Sequence, residues 1–214
     1  MLTVKEAIEQ RRSIRRYRPD PVPEEFIQQI LEAARLAPSG SNSQPWRFIV
    51  VTDAEERKRL RMVANGQQFI EEAPVVFVCC TDLEAYSQQS RQQRRQEFID
   101  YGVFAELGMA RGITEEQYRT LRPQVIDLPM DAAYQSGRFN VAIAVQNMAL
   151  MATALGLGSC WIGAMNGQAI HEMYQLPGTL RVVILLTVGY PALEPPPRPR
   201  LPLEKIWLKP KAKT

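Results

Sequence analysis

Apolar residues near the start of the chain recur at helical spacing: Val4, Ala7 and Ile8 share one face, and Phe26, Ile27, Ile30, Leu31 and Ala34 share another. Thr3 and Glu6 stand at capping-box spacing before the first run. Pro23, at a first-turn position, opens the second, which is predicted to reach about Leu36 before Pro38 stops it. The polar stretch Ser39–Pro45 has turn chemistry, and the β-rich run Trp46–Thr52 predicts a strand after it. Asp53 with Glu56 repeats the cap for a helix ending near Gly66, and Pro74–Cys80 reads as a fully buried strand. Farther on, Asp131 is predicted to cap a long helix reaching Leu155. Its second half is apolar on nearly every face, which predicts a course through the middle of the core. A short strand over Ser159–Gly163, a brief helix capped by Asn166 and reaching Tyr174, and the strongest β-run, Arg181–Val188, follow.

Two segments break this alternation. Residues 82–138 are polar and dotted with arginine, with Thr114–Gln117 as an internal helix start, and they read as a helical insertion. Seven of the 16 prolines fall between Pro191 and Pro210, so the tail over 190–214 is predicted to be extended.

The balance of 26 Lys+Arg against 23 Asp+Glu in 214 residues, with 45% hydrophobic residues, excludes wholesale disorder, collagen and coiled coil. Three cysteines, Cys79, Cys80 and Cys160, exclude a disulfide framework and a Cys-rich zinc site. The opening MLTVKEAIEQRR lacks the apolar core of a signal peptide, so a cytoplasmic protein is expected. The most apolar stretch, Val141–Leu157, is interrupted by Gln146, Asn147 and Thr153 and is short for a membrane span, so no membrane association is expected.

The densest charge is Arg11–Arg18, five arginines in eight residues with Ser13 among them. One or two cations suit a helix C-terminus; five with a hydroxyl are what a phosphate or other anion requires. A second cluster, Arg198 and Arg200, stands in the tail, and spacing alone leaves open whether the two meet. The loop Ser39–Gln44 offers hydroxyls and amides suited to a polyhydroxylated chain or a heteroaromatic ring edge. Gly156-Leu-Gly158 follows a helix and precedes a strand, the reverse of a dinucleotide fingerprint. The sole histidine, His171, reads as a helix-surface residue, and the two strand cysteines read as inert. With no acid, base, nucleophile or metal set in sight, chemistry here calls for a borrowed cofactor.

Five blocks carry a resemblance: Arg11-Arg-Ser13-Ile-Arg15-Arg-Tyr17, Ala37-Pro38-Ser39-Gly-Ser41-Asn42-Ser-Gln44-Pro45-Trp46, Gly156-Leu-Gly-Ser-Cys-Trp161-Ile162-Gly163, Val188-Gly-Tyr-Pro191, and Arg198-Pro-Arg200. In this order, over nearly the whole chain, they resemble the FMN-dependent nitroreductase family. The resemblance implies one α+β domain over 1–214, with a central, mostly antiparallel sheet flanked by helices, a variable insertion at about 82–138 and an extended tail. It also implies an entwined homodimer with FMN at the subunit interface. By the same likeness, Arg11 and Ser13, with Arg198 and Arg200, bind the FMN phosphate, Arg12 belongs to the cofactor site beside them, and Arg15 approaches the N1–O2 side of the ring. Pro38, Ser39, Ser41 and Asn42 reach the flavin from the partner subunit. Trp161, Ile162 and Gly163 border the ring near N5, and Gln67 or Gln68 meets its pyrimidine edge.

The implied activity is a ping-pong transfer of hydride from NAD(P)H through the flavin N5 to a nitroaromatic, quinone or similar small acceptor, with no catalytic side chain. Tyr101, Phe104 and Tyr118 of the insertion are the candidate acceptor contacts. Two departures stand out: some members carry an acidic residue at Gly163, and many carry a second serine at Gly40. A specialised flavin-fragmenting, dehalogenating or azoline-oxidising relative is the alternative within the family. An arginine-rich nucleic-acid domain is the alternative outside it, disfavoured by a net charge of only +3.

Overall fold

The computed structural model describes residues 2–103, 112, 114, 116, 117 and 128–208. Local capping signals set several helix starts among the described residues. Thr3 Oγ1 accepts from the Glu6 N–H at 3.3 Å while the Glu6 carboxylate accepts from the Thr3 N–H at 2.7 Å, opening α1, Val4–Gln10. Pro23 precedes α2, Glu24–Arg35. Asp53 Oδ1 accepts from the Glu56 N–H at 2.9 Å and opens α3, Ala54–Val63. That helix stops short of Gly66 because Asn65 and Gly66 turn into left-handed backbone, and the Gly66 N–H closes on the Arg61 carbonyl at 3.0 Å. A single turn, α4, Phe69–Glu72, leads into the sheet.

The four strands among the described residues are β1, Trp46–Val51, β2, Val75–Asp82, β3, Gly158–Ile162, and β4, Leu180–Gly189. They lie in the order β1-β2-β4-β3, every pairing antiparallel. β2 is buried on both faces, which explains its unbroken apolar run. Val75, Phe77 and Cys79 pack with Ile30 and Ala34 of α2 and with Val141, Val145 and Met148 of α6, Met130–Ala154. Val76, Val78 and Cys80 face the other way, onto Leu60 of α3, Ile70 of α4 and Ile170 of α7, Gly167–Met173. The result is an α+β fold with an antiparallel sheet between two helical layers.

Two sequence expectations need correction. Pro129 stands at the cap position of α6 and Asp131 lies in its first turn, so residues 130–138 belong to the long helix; at the other end of the expected insertion, Asp82 is still in β2. After the turn Leu83–Tyr86, the insertion opens with α5, Gln88–Asp100. The second half of α6 is enclosed as expected, every apolar residue from Val141 to Leu155 being buried or half-buried, and the helix opens to one side only in its first half. Ala133, Gly137, Val141, Ala144, Met148 and Ala152 bury one side at spacings of three or four, whereas Phe139 on the opposite side is 70% exposed. Second, the tail holds one helical turn, α8, Leu203–Ile206, with Pro202 at its cap position. Proline lacks an N–H that a helix start would leave unbonded in any case.

Candidate functional site

α1 ends at Arg11, and the chain then runs extended along the edge of the sheet. The Ile14 N–H bonds the Ser159 carbonyl at 3.0 Å, and Ser13 bridges Ser159 in parallel. Farther along, the Arg18 N–H bonds the Tyr190 carbonyl at 2.9 Å and the Ala192 N–H bonds the Arg16 carbonyl at 3.0 Å. This ribbon is thereby clamped both to β3 and to the first residues of the tail. Two glycines permit the close approach: a Cβ on Gly158 would sit 2.8 Å from Ile14 Cβ, and one on Gly189 would sit 3.0 Å from Tyr17 Cδ1. Extended backbone sends alternate side chains to opposite sides. Ile14 goes inward, and Arg11, Ser13 and Arg15 go to a cavity.

That cavity, about 320 Å³, is lined by Arg11, Arg12, Ser13 and Arg15 from the ribbon and by Pro195, Pro196, Arg198 and Arg200 from the tail. The two arginine clusters, remote in sequence, therefore meet. Among the described residues none of these five guanidiniums is in an ion pair, whereas Arg16 and Arg18 of the same run pair with Glu72 at 3.1 Å and Asp20 at 3.2 Å. The bonds the cavity arginines do make go to nearby backbone carbonyls, as from Arg12 to Glu9 at 2.6 Å and from Arg200 to Pro199 at 3.3 Å. Among the described residues no carboxylate lines the space. Like charges held this close repel one another, and an anion with several acceptor oxygens relieves that repulsion. The donor set, guanidinium and hydroxyl without carboxylate, fits a phosphate monoester. A larger cavity, about 670 Å³, lies between residues 19–27 and α3–α4, but its Arg57 and Arg61 are spent on the Pro74 carbonyl at 3.1 Å and on Glu71 at 2.8 Å.

β3 leads away from the arginine cavity for about 13 Å, the length of a five-residue strand. At its far end Trp161 is half-buried, Ile162 is buried and Gly163 is exposed, with nothing within 4 Å of where its Cβ would stand. The Gln67 amide nitrogen donates to the Ala64 carbonyl at 3.1 Å and to the Ala164 carbonyl at 3.4 Å, which puts this side chain beside the Gly163 turn. Gln68 borders the larger cavity instead. The Arg15 guanidinium lies 6.0 Å from the Phe69 ring centroid, so it leans from the cavity toward the same end. Between the two ends, burial pushes the Cys160 thiol above its ordinary range, while Arg15, Arg11 and the Ser13 hydroxyl pull it back.

The polar loop does not join this cavity within one protomer. Pro38, Ser41 and Asn42 are exposed and Ser39 is half-buried, its Oγ accepting from the Gln44 N–H at 3.0 Å. Ser41, Asn42 and Gln44 take positive φ of 52°, 50° and 43°, a costly conformation for residues with a Cβ. The loop is held by Asn140 of α6, which is buried. Its Oδ1 accepts from the Gly40 N–H at 3.1 Å, and its Nδ2 donates to Ser43 Oγ at 3.3 Å and to the Tyr86 hydroxyl at 2.8 Å. Sequence reasoning missed Asn140. The available signal was an amide within a mostly small and apolar helix face, repeated seven residues on by Asn147, whose Nδ2 donates to the Ala33 carbonyl at 3.2 Å. Tyr101, just past α5, is 84% exposed; Phe104 and Tyr118 lie outside the described residues. His171 is half-buried on α7, its Nε2 3.2 Å from the Pro177 carbonyl.

Residues 8–190 match the sequence model of the Nitroreductase family, and the chain belongs to that family. A protein of Thermus thermophilus named NADH dehydrogenase is 38% identical over 210 residues, covering 97% of this chain and 96% of its own. An "FMN reductase [NAD(P)H]" of Bacillus subtilis is 29% identical, covering 91% of this chain and 68% of its own. Among solved structures, a putative nitroreductase of Exiguobacterium sibiricum in complex with FMN aligns with a TM-score of 0.77 at 26% identity over 98% of each chain.

Proposed function

We propose that this protein is a single-domain, FMN-dependent oxidoreductase that takes reducing equivalents from NAD(P)H and delivers them to nitroaromatic, quinone or similar small acceptors in a ping-pong cycle. The observation that carries the reading is the meeting on one cavity of Ser13 and five arginines that, among the described residues, are in no ion pair. In this reading Arg11, Arg12, Ser13, Arg198 and Arg200 hold the FMN phosphate. Arg15, Gln67 and the Trp161–Gly163 turn receive the ring end, in line with the course of β3. Bound FMN supplies the capacity to accept and donate hydride, which no side chain of this protein offers. The protein's share is to bind, to orient and to keep water out. Arg15 adds a positive charge on one side of the ring site and so favours negative charge there.

The same reading makes the protein a homodimer. Phe139 on the open side of α6, Val4 and Ile8 on α1, and Leu201, Leu203, Ile206 and Leu208 in the tail are all exposed, more apolar surface than a lone protomer readily tolerates. The strained loop 38–42 lies outside its own protomer's arginine cavity, as a loop serving a partner's site would. The names of the Thermus and Bacillus relatives and the FMN complex of the Exiguobacterium protein support the cofactor and the reductant.

The direct test is an absorption spectrum of the purified protein. It is expected to show a bound flavin that NADH or NADPH bleaches and a quinone or nitroaromatic restores. A colourless protein that stays colourless after mixing with FMN refutes the proposal.

A further inference from the structure

Tyr17 sits where the two arginine clusters are joined, and it is buried. Its hydroxyl donates to the Ile14 carbonyl at 2.9 Å and lies 2.8 Å from Thr187 Oγ1 of β4. Thr187 Oγ1 is in turn 3.3 Å from the Cys160 carbonyl of β3, the residue it pairs with in the sheet. With the Tyr17 proton given to Ile14, the single Thr187 proton goes either to the Tyr17 oxygen or to the Cys160 carbonyl, so the pair links the ribbon to β4 and lies against β3. Both backbone polar groups of Ile14 are then committed, the N–H to Ser159 and the carbonyl to Tyr17. Ile14 lies between Ser13 and Arg15, so this pairing fixes the direction in which both project into the cavity. Tyr17 also bridges Pro191, the start of the segment that carries Arg198 and Arg200.

We propose that the buried Tyr17–Thr187 hydroxyl pair is a positioning device for the arginine cavity: it sets the ribbon cluster at the spacing from the tail cluster that a phosphate monoester requires. This rests on the functional reading above, in which that cavity takes the phosphate of FMN. Removing the Tyr17 hydroxyl leaves the ring in place beside Gly189 and Pro74. It strips the Ile14 carbonyl of its partner, and a buried carbonyl without one is costly enough to shift the ribbon.

The test is to titrate the full chain, freed of flavin, with FMN and separately with riboflavin, which lacks the phosphate. In the wild type FMN should bind far more tightly; equal affinities would refute the phosphate reading itself, whatever the variants do. Given that preference, Tyr17→Phe is expected to weaken FMN about tenfold with riboflavin little changed, a loss of the size expected for one buried hydrogen bond. Equal weakening of both ligands, or of neither, overturns the positioning role. Should Tyr17→Phe not fold, Thr187→Val and Thr187→Ser decide the matter. The valine variant is expected to show a reduced phosphate preference, by no more than the tenfold of Tyr17→Phe, and the serine variant, which restores the hydroxyl, to recover it; identical behaviour of the two overturns the proposal.

Discussion

Arg16 and Arg11 stand five residues apart in one basic run and have opposite fates. Arg16 is neutralised by Glu72, while Arg11 enters a cavity without a carboxylate. Arg11→Ala and Arg200→Ala should each weaken FMN binding by about 1.5–3 kcal/mol, the worth of a charge-assisted hydrogen bond, and Arg16→Ala should leave it unchanged. Equilibrium titration checks both, and equal losses from all three variants would show a general charge effect.

Cys80 offers a second prediction at this scale. Burial pushes its thiol up to about 12 from an ordinary value of 9.0. Below pH 9 the folded and unfolded chains both keep this proton. Between about 9 and about 12 only the unfolded chain releases it, so stability should fall as pH rises through that window. Cys80→Ala should make chemical-denaturation midpoints less steeply dependent on alkaline pH than in the wild type.

At the scale of elements, α6 and the polar loop form one unit. Asn140 satisfies groups from the loop and from Tyr86 at once, and it holds a loop with three residues in left-handed backbone. Asn140→Ala leaves the Gly40 N–H and two hydroxyls without that partner. The expected cost is about 1–3 kcal/mol in unfolding free energy for each group left buried and unpaired. Proteolysis should also open the chain first between Pro38 and Gln44. A variant as stable and as resistant as the wild type would show that the loop holds itself.

This element scale is also where legibility in the sequence changes. Thr3 with Glu6, Asp53 with Glu56 and Asn166 with Ala169 act across three residues, so their helix starts could be read directly. β2 and β4 announced themselves as apolar β-rich runs. The enclosed second half of α6 could be read, but the open side at Phe139 could not, because an apolar residue looks the same in sequence whether the same chain or another covers it. Asn140 was hidden for a related reason: its partners lie 54 to 100 residues away.

For the whole molecule, the exposed apolar surface on α1, α6 and the tail predicts a dimer by light scattering at micromolar concentration. In mixed dimers that carry Ser39→Ala in one subunit, the flavin-binding defect should appear at the site whose arginines belong to the unaltered subunit. Arg11→Ala on the same subunit as Ser39→Ala should therefore impair both sites, whereas a defect confined to one site would place the loop in cis.

Short-range chemistry let the sequence alone determine the starts of α1, α2, α3 and α7, the four strands among the described residues, the burial of Cys79 and Cys80, and the presence of two anion-competent arginine clusters. Caps, turn residues and hydrophobic period each act within a few residues. Only the tertiary structure decided that the clusters share one cavity, which of the arginines stay free of carboxylates, and that Gln67 rather than Gln68 turns toward Gly163. Those outcomes depend on the bridges Ser13–Ser159 and Tyr17–Pro191, which join residues more than 140 positions apart. Such pairings are fixed by the packing of the sheet as a whole, and no local pattern encodes them.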